Sequence, residues 1–352
     1  MSSFPETRTD PRTVLPRDVP ITVILTVLNE ERHVAEAVRR ALLQDHPGPI
    51  EVVIALGPST DRTDEIVEKI AADDERVRWV RNPDPGGATP AGLNAALEVS
   101  SYPVVARIDG HALLPADYLR IAVETLNSSA ADNVGGLMAA EGITTFEQAV
   151  AAAMTSRFGV GSAAFHTGGT EGPADTVYLG VFRRTALERV GGYDEAFLRA
   201  QDWEMNLRIR RSGGEVWFQP ALQVSYRPRS TVQALAKQYF HYGRWRRVVM
   251  RRHEGTASLR YLAAPLAVLG IAAGVVLTLL GLVWPPLALG IVLPLGYVVA
   301  VVVAGAGVVG RGLATGVRLR LPAAIATMHL SWGLGFLTSP RDLGSASEHF
   351  QP

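Results

Sequence analysis

Asp109 and His111 stand one residue apart at the end of the apolar string VVARIDGHALL, with Gly110 between them. An aspartate and an imidazole at that spacing can face one divalent cation, and glycine lets the backbone approach a ligand closely. Read alone, such a string is more often an ordinary turn after a strand. A second acid, Asp202 in AQDWEMNLRIRRSGG, falls at or near the start of a helix, where a carboxylate usually caps. Glu204 follows two residues on. Metal binding and proton transfer are the chemistries these residue types allow, and the elements that carry them decide whether they can meet.

Those elements alternate. ITVILTVLNEE, residues 21–31, is a β-branched run of the kind that fills a central parallel strand. A helix is expected over 31–43, with Val34, Ala37, Val38, Ala41 and Leu42 on one face. EVVIAL (51–56) is a second strand, 63–72 a second helix and VRWVRN (77–82) a third strand. In PDPGGATPAGLNAAL a glycine-rich loop precedes a helix with Thr89 as N-cap and Pro90 at its first position. The strand ending in Asp109 is the fourth. Four strand–helix alternations predict a doubly wound α/β sheet, whose ligands sit at the carboxyl ends of its strands. The loop at Gly86 and Gly87 fits neither GxGxxG nor GxxxxGK[ST], which argues against dehydrogenase and kinase readings. Residues 155–176, rich in Gly, Ser and Thr, read as a long loop, functional or disordered. The Asp202 helix should bury Met205, Leu207 and Ile209 and end at Gly213 and Gly214.

Composition narrows the classes. In 352 residues, 34 basic and 34 acidic side chains cancel, so no global field recruits nucleic acid. Without cysteine there is no disulfide framework, thiolate zinc site or cysteine nucleophile. Residues 1–20 are polar and proline-rich and lack a signal peptide's apolar core, so a disordered lead-in and a cytoplasmic N-terminal domain are expected. Residues 231–258 read as an amphipathic helix with Val232, Leu235, Ala236, Tyr239, Phe240 and Val249 near one face. Its many arginines suit the headgroup layer of anionic lipid. No charge occurs from 261 to 310, and 262–283 and 287–309 are each long enough to span a bilayer across a Trp284-Pro285-Pro286 turn. A shorter segment, 321–337 with His329, is a third span or a packed re-entrant piece. Arginines before the first span, and Arg311, Arg318 and Arg320 after the second, place both flanks in the cytoplasm. The expected division is a lead-in to 20, a catalytic domain over 21–230, the interfacial helix, a membrane region over 259–340 and a tail from 341.

Taken in order, VILTVLNEE, STDRT, GGATPAGLN, RIDGHA, DTVYLGVFRR, GGYDE, QDWEMNLRIRRSGG and YRPRS…KQYFHYGRW resemble glycosyltransferase family 2 with its GT-A fold. Within that family they are most similar to the succinoglycan-biosynthesis ExoA type of membrane glycosyltransferases. The resemblance runs from about residue 21 to residue 253 and is less specific for the sugar. It implies a divalent metal, Mn or Mg, at Asp109 and His111, with Asp109 also facing the diphosphate. His111 stands where the family has a second aspartate, and imidazole favours Mn²⁺ over Mg²⁺. It implies Asp202 as the base, with Glu204 in reserve and Gln201 as a hydrogen-bonding neighbour. Gln238, Arg244 and Trp245 would meet diphosphate and acceptor. Thr26, Leu28, Asn29, Glu30, Asp61, Gly87 and Asn94 would line the nucleotide-sugar site, with Leu56-Gly57 replacing the usual acidic pair. The reaction implied is inverting transfer of a hexose from a nucleotide-sugar, a UDP-hexose such as UDP-glucose, to a polyprenyl-linked saccharide at the cytoplasmic face of the inner membrane. A polyprenyl-phosphate sugar synthase and an inactive nucleotide-sugar-binding protein are the alternatives, and oligomeric state stays open.

Overall fold

The computed structural model describes residues 13–161, 163–308 and 312–344; Arg311 and most of the expected lead-in and tail lie outside them. The first half alternates as expected: β1 (Ile21–Val27), α1 (Val34–Leu42), β2 (Ile50–Leu56), α2 (Thr63–Asp73), β3 (Val77–Arg81), α3 (Thr89–Val99), β4 (Val104–Asp109) and α4 (Tyr118–Ser129). Then come β5 (Asn133–Ala140), α5 (Thr145–Met154), the short α6 (Arg157–Val160) and α7 (Ala164–Thr167), β6 (Gly172–Pro173), β7 (Tyr178–Arg183) and α8 (Arg184–Val190). The chain continues through α9 (Gln201–Arg211), β8 (Val216–Tyr226), α10 (Val232–Arg252), α11 (Ala263–Leu280), α12 (Val292–Val308) and α13 (Thr315–Leu337).

One sheet runs β3-β2-β1-β4-β7-β5-β8-β6. Strands β1 to β4 are parallel, while β7 pairs antiparallel with both β4 and β5. The fold is therefore a mixed α/β sheet of the GT-A kind, a parallel half extended by antiparallel strands. β1, β2 and β4 are buried nearly throughout because helices cover both faces, so their sequences need no polar alternation. Val34, Ala37, Val38 and Ala41 of α1 join this core, where each fully buried large aliphatic contributes roughly 1.5–3 kcal/mol. The Glu36–Arg39 pair on the same helix is solvent-exposed and screened, so the apolar face holds α1 in place.

Two of the differences from the expected boundaries have a visible local cause. α1 starts three residues later than expected, because the Glu30 carbonyl accepts from the amides of both His33 and Val34 in a preceding turn. Ala88, rather than Thr89, is the N-cap of α3; Thr89 is its first helical residue and makes no capping bond.

The described residues divide into two compact units, one of 13–138 and 168–225 and the other of 139–161, 163–167, 226–308 and 312–344. Residues 139–167 thus group with the C-terminal helices. In that second unit α5 opens with a capping box, Thr144 and Glu147 each satisfying the other's backbone N–H. α10 buries Leu235, Tyr239, Trp245, Val248 and Val249 and packs along α13. The crossing is close: a Cβ on Gly243 would overlap the Trp332 carbonyl, and one on Gly335 the Phe240 carbonyl. The apolar face expected to meet lipid is therefore covered by α13. Three of its arginines turn to main-chain carbonyls in the last turn of that helix and just beyond it, Arg247 to Phe336 at 3.2 Å, Arg251 to Ser339 at 2.8 Å and to Pro340, and Arg252 to Gly344.

Two stretches, Leu259–Leu280 and Pro285–Val308, are long and apolar enough to cross a membrane, with mean hydropathies of 2.3 and 2.6 and little of either buried. A 3-10 turn, Pro285–Ile291, begins the second. α13 does not meet that test; it buries Leu321, Ala324, Ile325 and Met328 against its neighbours, and His329 hydrogen-bonds the Phe158 carbonyl at 2.7 Å.

Candidate active site

The parallel register sets Thr26 at the end of β1 beside Asp109 at the end of β4. The chain passes from β1 outward to β2 and β3, then returns to β4 on the other side. This is the reversal of strand order at which open α/β sheets form a ligand crevice. Gly110 is required there: a Cβ would stand 2.8 Å from Val27 Cγ1 and 3.4 Å from Glu30 Cγ.

The centre of the site is a residue that sequence reasoning passed over. Arg107 lies on β4 two residues before Asp109, hence on the same face of the strand, and its side chain is only 6% exposed. Its guanidinium reaches Asp109 Oδ1 at 2.8 Å and Asp202 Oδ2 at 3.4 Å. Burial disfavours its charge, but Asp109 and Asp202 outweigh that and raise its pKa. Tyr178, at the start of β7, donates to Asp109 Oδ2 at 3.3 Å. Asp202 does not cap its own helix: the N-cap of α9 is Ala200 in the left-handed region, with no side-chain capping bond. Desolvation raises the pKa of Asp202, Arg107 opposes the rise and Asp109 adds to it. Tyr193, buried nearby, has its phenol pKa pushed up by burial and by Asp202.

His111 Nδ1 lies 2.8 Å from Glu30 Oε1, and that bond raises the imidazole pKa against partial burial, with Asp109 assisting. Pairing at Nδ1 leaves Nε2 for a cation, the arrangement in which a carboxylate behind a histidine orients it as a ligand. Among the described residues no three His, Cys, Asp or Glu side chains form a metal cage. Asp109 and His111 supply two donors at an open edge, with Asp109 25% and His111 50% exposed. Such a donor set suits a metal that takes its remaining ligands from substrate phosphates and water.

Other expected site residues make contacts within the protein. Glu204 is 1% exposed and forms a two-point pair with Arg208 at 2.7 Å, so it is not a spare base. Asp61 accepts from Glu31 N–H at 3.1 Å and from the amide and hydroxyl of Thr63 at 3.0 and 2.5 Å, tying the loop after β1 to the start of α2. Asn29 helps that tie by accepting from Thr60 N–H at 2.8 Å. Asn94 reaches the other way, donating to the Tyr193 carbonyl at 2.9 Å and accepting from the Tyr193 amide at 2.8 Å, and so holds the GGYDE turn. Gly87, at φ +75°, lets its loop pass Pro58 and Leu28. Leu28 and Gln201 are half-buried beside the site residues they adjoin.

Gln238, Arg244 and Trp245 belong to the second unit. Gln238 donates to the hydroxyls of Tyr226 and Tyr242, and the Arg244 guanidinium lies over the Phe240 ring. Trp245 is 4% exposed, so its indole is a packing group and offers no stacking face in this arrangement.

Backbone strain gathers at the same edge. Four described non-glycine residues have left-handed φ, and three of them, Asn29, Leu179 and Ala200, adjoin Glu30, Tyr178 and the start of α9. Such conformations persist where surrounding structure over-determines them, which is common at functional sites.

Known proteins fit this geometry. The profile of glycosyl transferase family 2 matches residues 22–191. Over 320 residues the chain is 32% identical to the succinoglycan biosynthesis protein ExoA of Rhizobium meliloti (strain 1021), covering 89% of this chain and 93% of that protein. It is 22% identical over 242 residues to a dolichyl N-acetyl-α-D-glucosaminyl phosphate 3-β-D-2,3-diacetamido-2,3-dideoxy-β-D-glucuronosyltransferase of Methanococcus voltae, covering 66% of this chain and 74% of that one. The mannosyltransferase PcManGT of Pyrobaculum calidifontis, solved with GDP-Man and Mn²⁺, shares the fold at a TM-score of 0.58 and 22% identity, over 95% of this chain and 89% of its own. An edge of carboxylates on a GT-A sheet, together with 32% identity along nearly the whole of a family member, establishes that this chain belongs to glycosyltransferase family 2.

Proposed function

We propose that the enzyme transfers a hexose from a nucleotide-sugar, a UDP-hexose such as UDP-glucose, to a polyprenyl-linked saccharide, inverting the anomeric centre. The observation that carries this reading is the meeting of Asp109 and Asp202 on one buried guanidinium, a carboxylate of the sheet edge beside a carboxylate of a distant helix. The names of the relatives support the substrate class, one a succinoglycan biosynthesis protein and the other a transferase acting on a dolichyl-linked sugar phosphate. The second name also favours a lipid-linked saccharide over bare lipid phosphate as acceptor.

In the reaction the acceptor hydroxyl attacks the anomeric carbon while the bond to the diphosphate breaks on the opposite face. Asp202 accepts the hydroxyl proton as general base. Asp109 and His111 would hold a divalent cation, which when bound supplies positive charge to the departing diphosphate. Glu30 orients His111 through Nδ1, and Tyr178 holds the second oxygen of Asp109. The loop after β1, with Thr26, Leu28 and Asn29, receives the nucleoside. The two apolar helices and the arginines that flank them support a multi-pass protein of the inner membrane with its catalytic unit in the cytoplasm.

The test is Asp202→Asn in detergent-solubilised protein, after a panel of nucleotide-sugars has identified the donor by thermal stabilisation. Donor affinity should stay within about 3-fold while transfer falls by roughly 10²-fold or more. Transfer at the native rate would remove Asp202 from the mechanism.

A further inference from the structure

A second arginine in the same unit shows what a purely architectural guanidinium looks like here. Arg183, 5% exposed, gives all three of its nitrogens to main-chain carbonyls: Nε to Ala131 at 3.0 Å, Nη1 to Thr13 at 2.8 Å and Nη2 to Leu126 at 2.9 Å. It stitches the chain together through every nitrogen of its guanidinium. Arg107 is equally buried, but its ion pairs are with two acidic side chains at the reactive edge, and its Nε has no hydrogen-bond partner among the described residues. Burying a guanidinium in an otherwise apolar strand with an unmet donor is costly, and the fold does not need it for strand pairing, since Val104, Val105, Ala106 and Ile108 fill the rest of β4. What the placement does achieve is a fixed link between two elements far apart in sequence.

That link falls at the start of α9, where no side chain caps the helix. The N-cap is a strained alanine without a side-chain bond, and Asp202 is in the first turn. Without a cation between them Asp109 and Asp202 would repel, and α9 would be pushed from the sheet edge at the point where its carboxylate must be placed. Tyr178 and Asn94 secure Asp109 and the GGYDE turn from their own sides.

We propose that Arg107 is a positioning residue for sugar transfer, tying the Asp202 carboxylate of α9 to the Asp109 carboxylate of β4 so that base and diphosphate-facing acid are held in one geometry. This rests on the roles given above to Asp109 and Asp202. Arg107 touches neither sugar nor leaving group in this scheme; it sets where the groups that do so stand. Both nitrogens of the guanidinium fork are used, so lysine, with one ammonium, can serve only part of the function.

The experiment compares Arg107→Met, Arg107→Lys, Asp202→Asn and Asp109→Asn in full-length solubilised protein. Three quantities are read: kcat for nucleoside diphosphate release, donor KM, and the Kd of UDP by calorimetry without added metal. Arg107→Met should lower kcat by roughly 10²-fold, as expected for a displaced catalytic group, with KM and Kd within about 3-fold. Arg107→Lys should recover about a tenth of the native kcat. In metal-free protein, the Glu204 amide that bonds the Ala200 carbonyl should exchange hydrogen faster in Arg107→Met than in the native chain. If Arg107→Met does not fold, Arg107→Lys decides: a fall in kcat at unchanged Kd supports the inference, and native kcat overturns it. Native kcat in Arg107→Met while Asp202→Asn is inactive overturns the inference alone. Native transfer in both Asp202→Asn and Asp109→Asn overturns the functional reading beneath it.

Discussion

At the scale of single residues, Asp202 carries two opposing demands. A base must be ionised to accept a proton, yet burial desolvates it more than Arg107 can offset, and Asp109 adds a smaller repulsion, so its pKa is raised. The sign of the consequence follows. Activity requires the ionised form, so it is present above the raised pKa and lost as pH falls through it. The acid limb of kcat/KM should therefore lie above the ordinary aspartate range near 3.9, and a limb at or below that value would contradict the assignment. For stability the sign is opposite to that of a salt-bridged carboxylate. The folded state holds this proton more tightly than the unfolded chain, so Asp202 costs stability as pH rises from the unfolded to the folded pKa. A titration of melting temperature that compares the native chain with Asp202→Asn should show that difference opening toward neutral pH.

Secondary-structure elements show what the sequence could and could not disclose. The βα alternation and the strand ending at Asp109 were legible, because both-face burial leaves continuous apolar strings such as ITVIL and VVA. Asp109, His111 and Asp202 could be singled out by type and motif. Arg107 was within reach too: a lone charge in an apolar strand, two residues from an acid, must find a partner on that face. The structural duties of Asp61 and Asn94 were out of reach, since their partners come from other loops, in the case of Asn94 about a hundred residues away. The same reason hid the fate of α10. Its apolar face and its arginines suit a lipid surface equally well, and only the tertiary fold shows α13 occupying the face and taking the arginines at its end. That packing has its own test. Gly243→Leu forces a side chain into the Trp332 carbonyl, and overpacking of this kind costs about 1–3 kcal/mol. The melting temperature of the solubilised protein should fall, whereas Lys237→Leu, on the exposed side of α10, should leave it nearly unchanged.

Across the whole molecule, charge and apolarity are sorted along the chain. The polar, ion-paired sheet unit comes first, while residues 261–310 carry no charge and display large aliphatic side chains outward, Leu282 and Val283 at 85% and 87% exposure among them. Exposed apolar surface on this scale has no place in water, and a bilayer is the solvent that matches it. The arginines sit at both ends of the apolar stretch, in α10 and at Arg318 and Arg320 of α13, and none lies in the turn around Trp284 and Pro285. In the orientation proposed above, which follows the positive-inside rule, α10 and the start of α13 would lie on the cytoplasmic side and the turn on the other. Because the chain has no cysteine, a single introduced thiol reports its own location without background. In intact cells a membrane-impermeant maleimide should label Pro286→Cys and leave Leu319→Cys, an exposed position between Arg318 and Arg320, unlabelled until the membrane is opened. Labelling of both positions from outside, or of Leu319→Cys alone, would place the arginines on the wrong side and reverse the orientation.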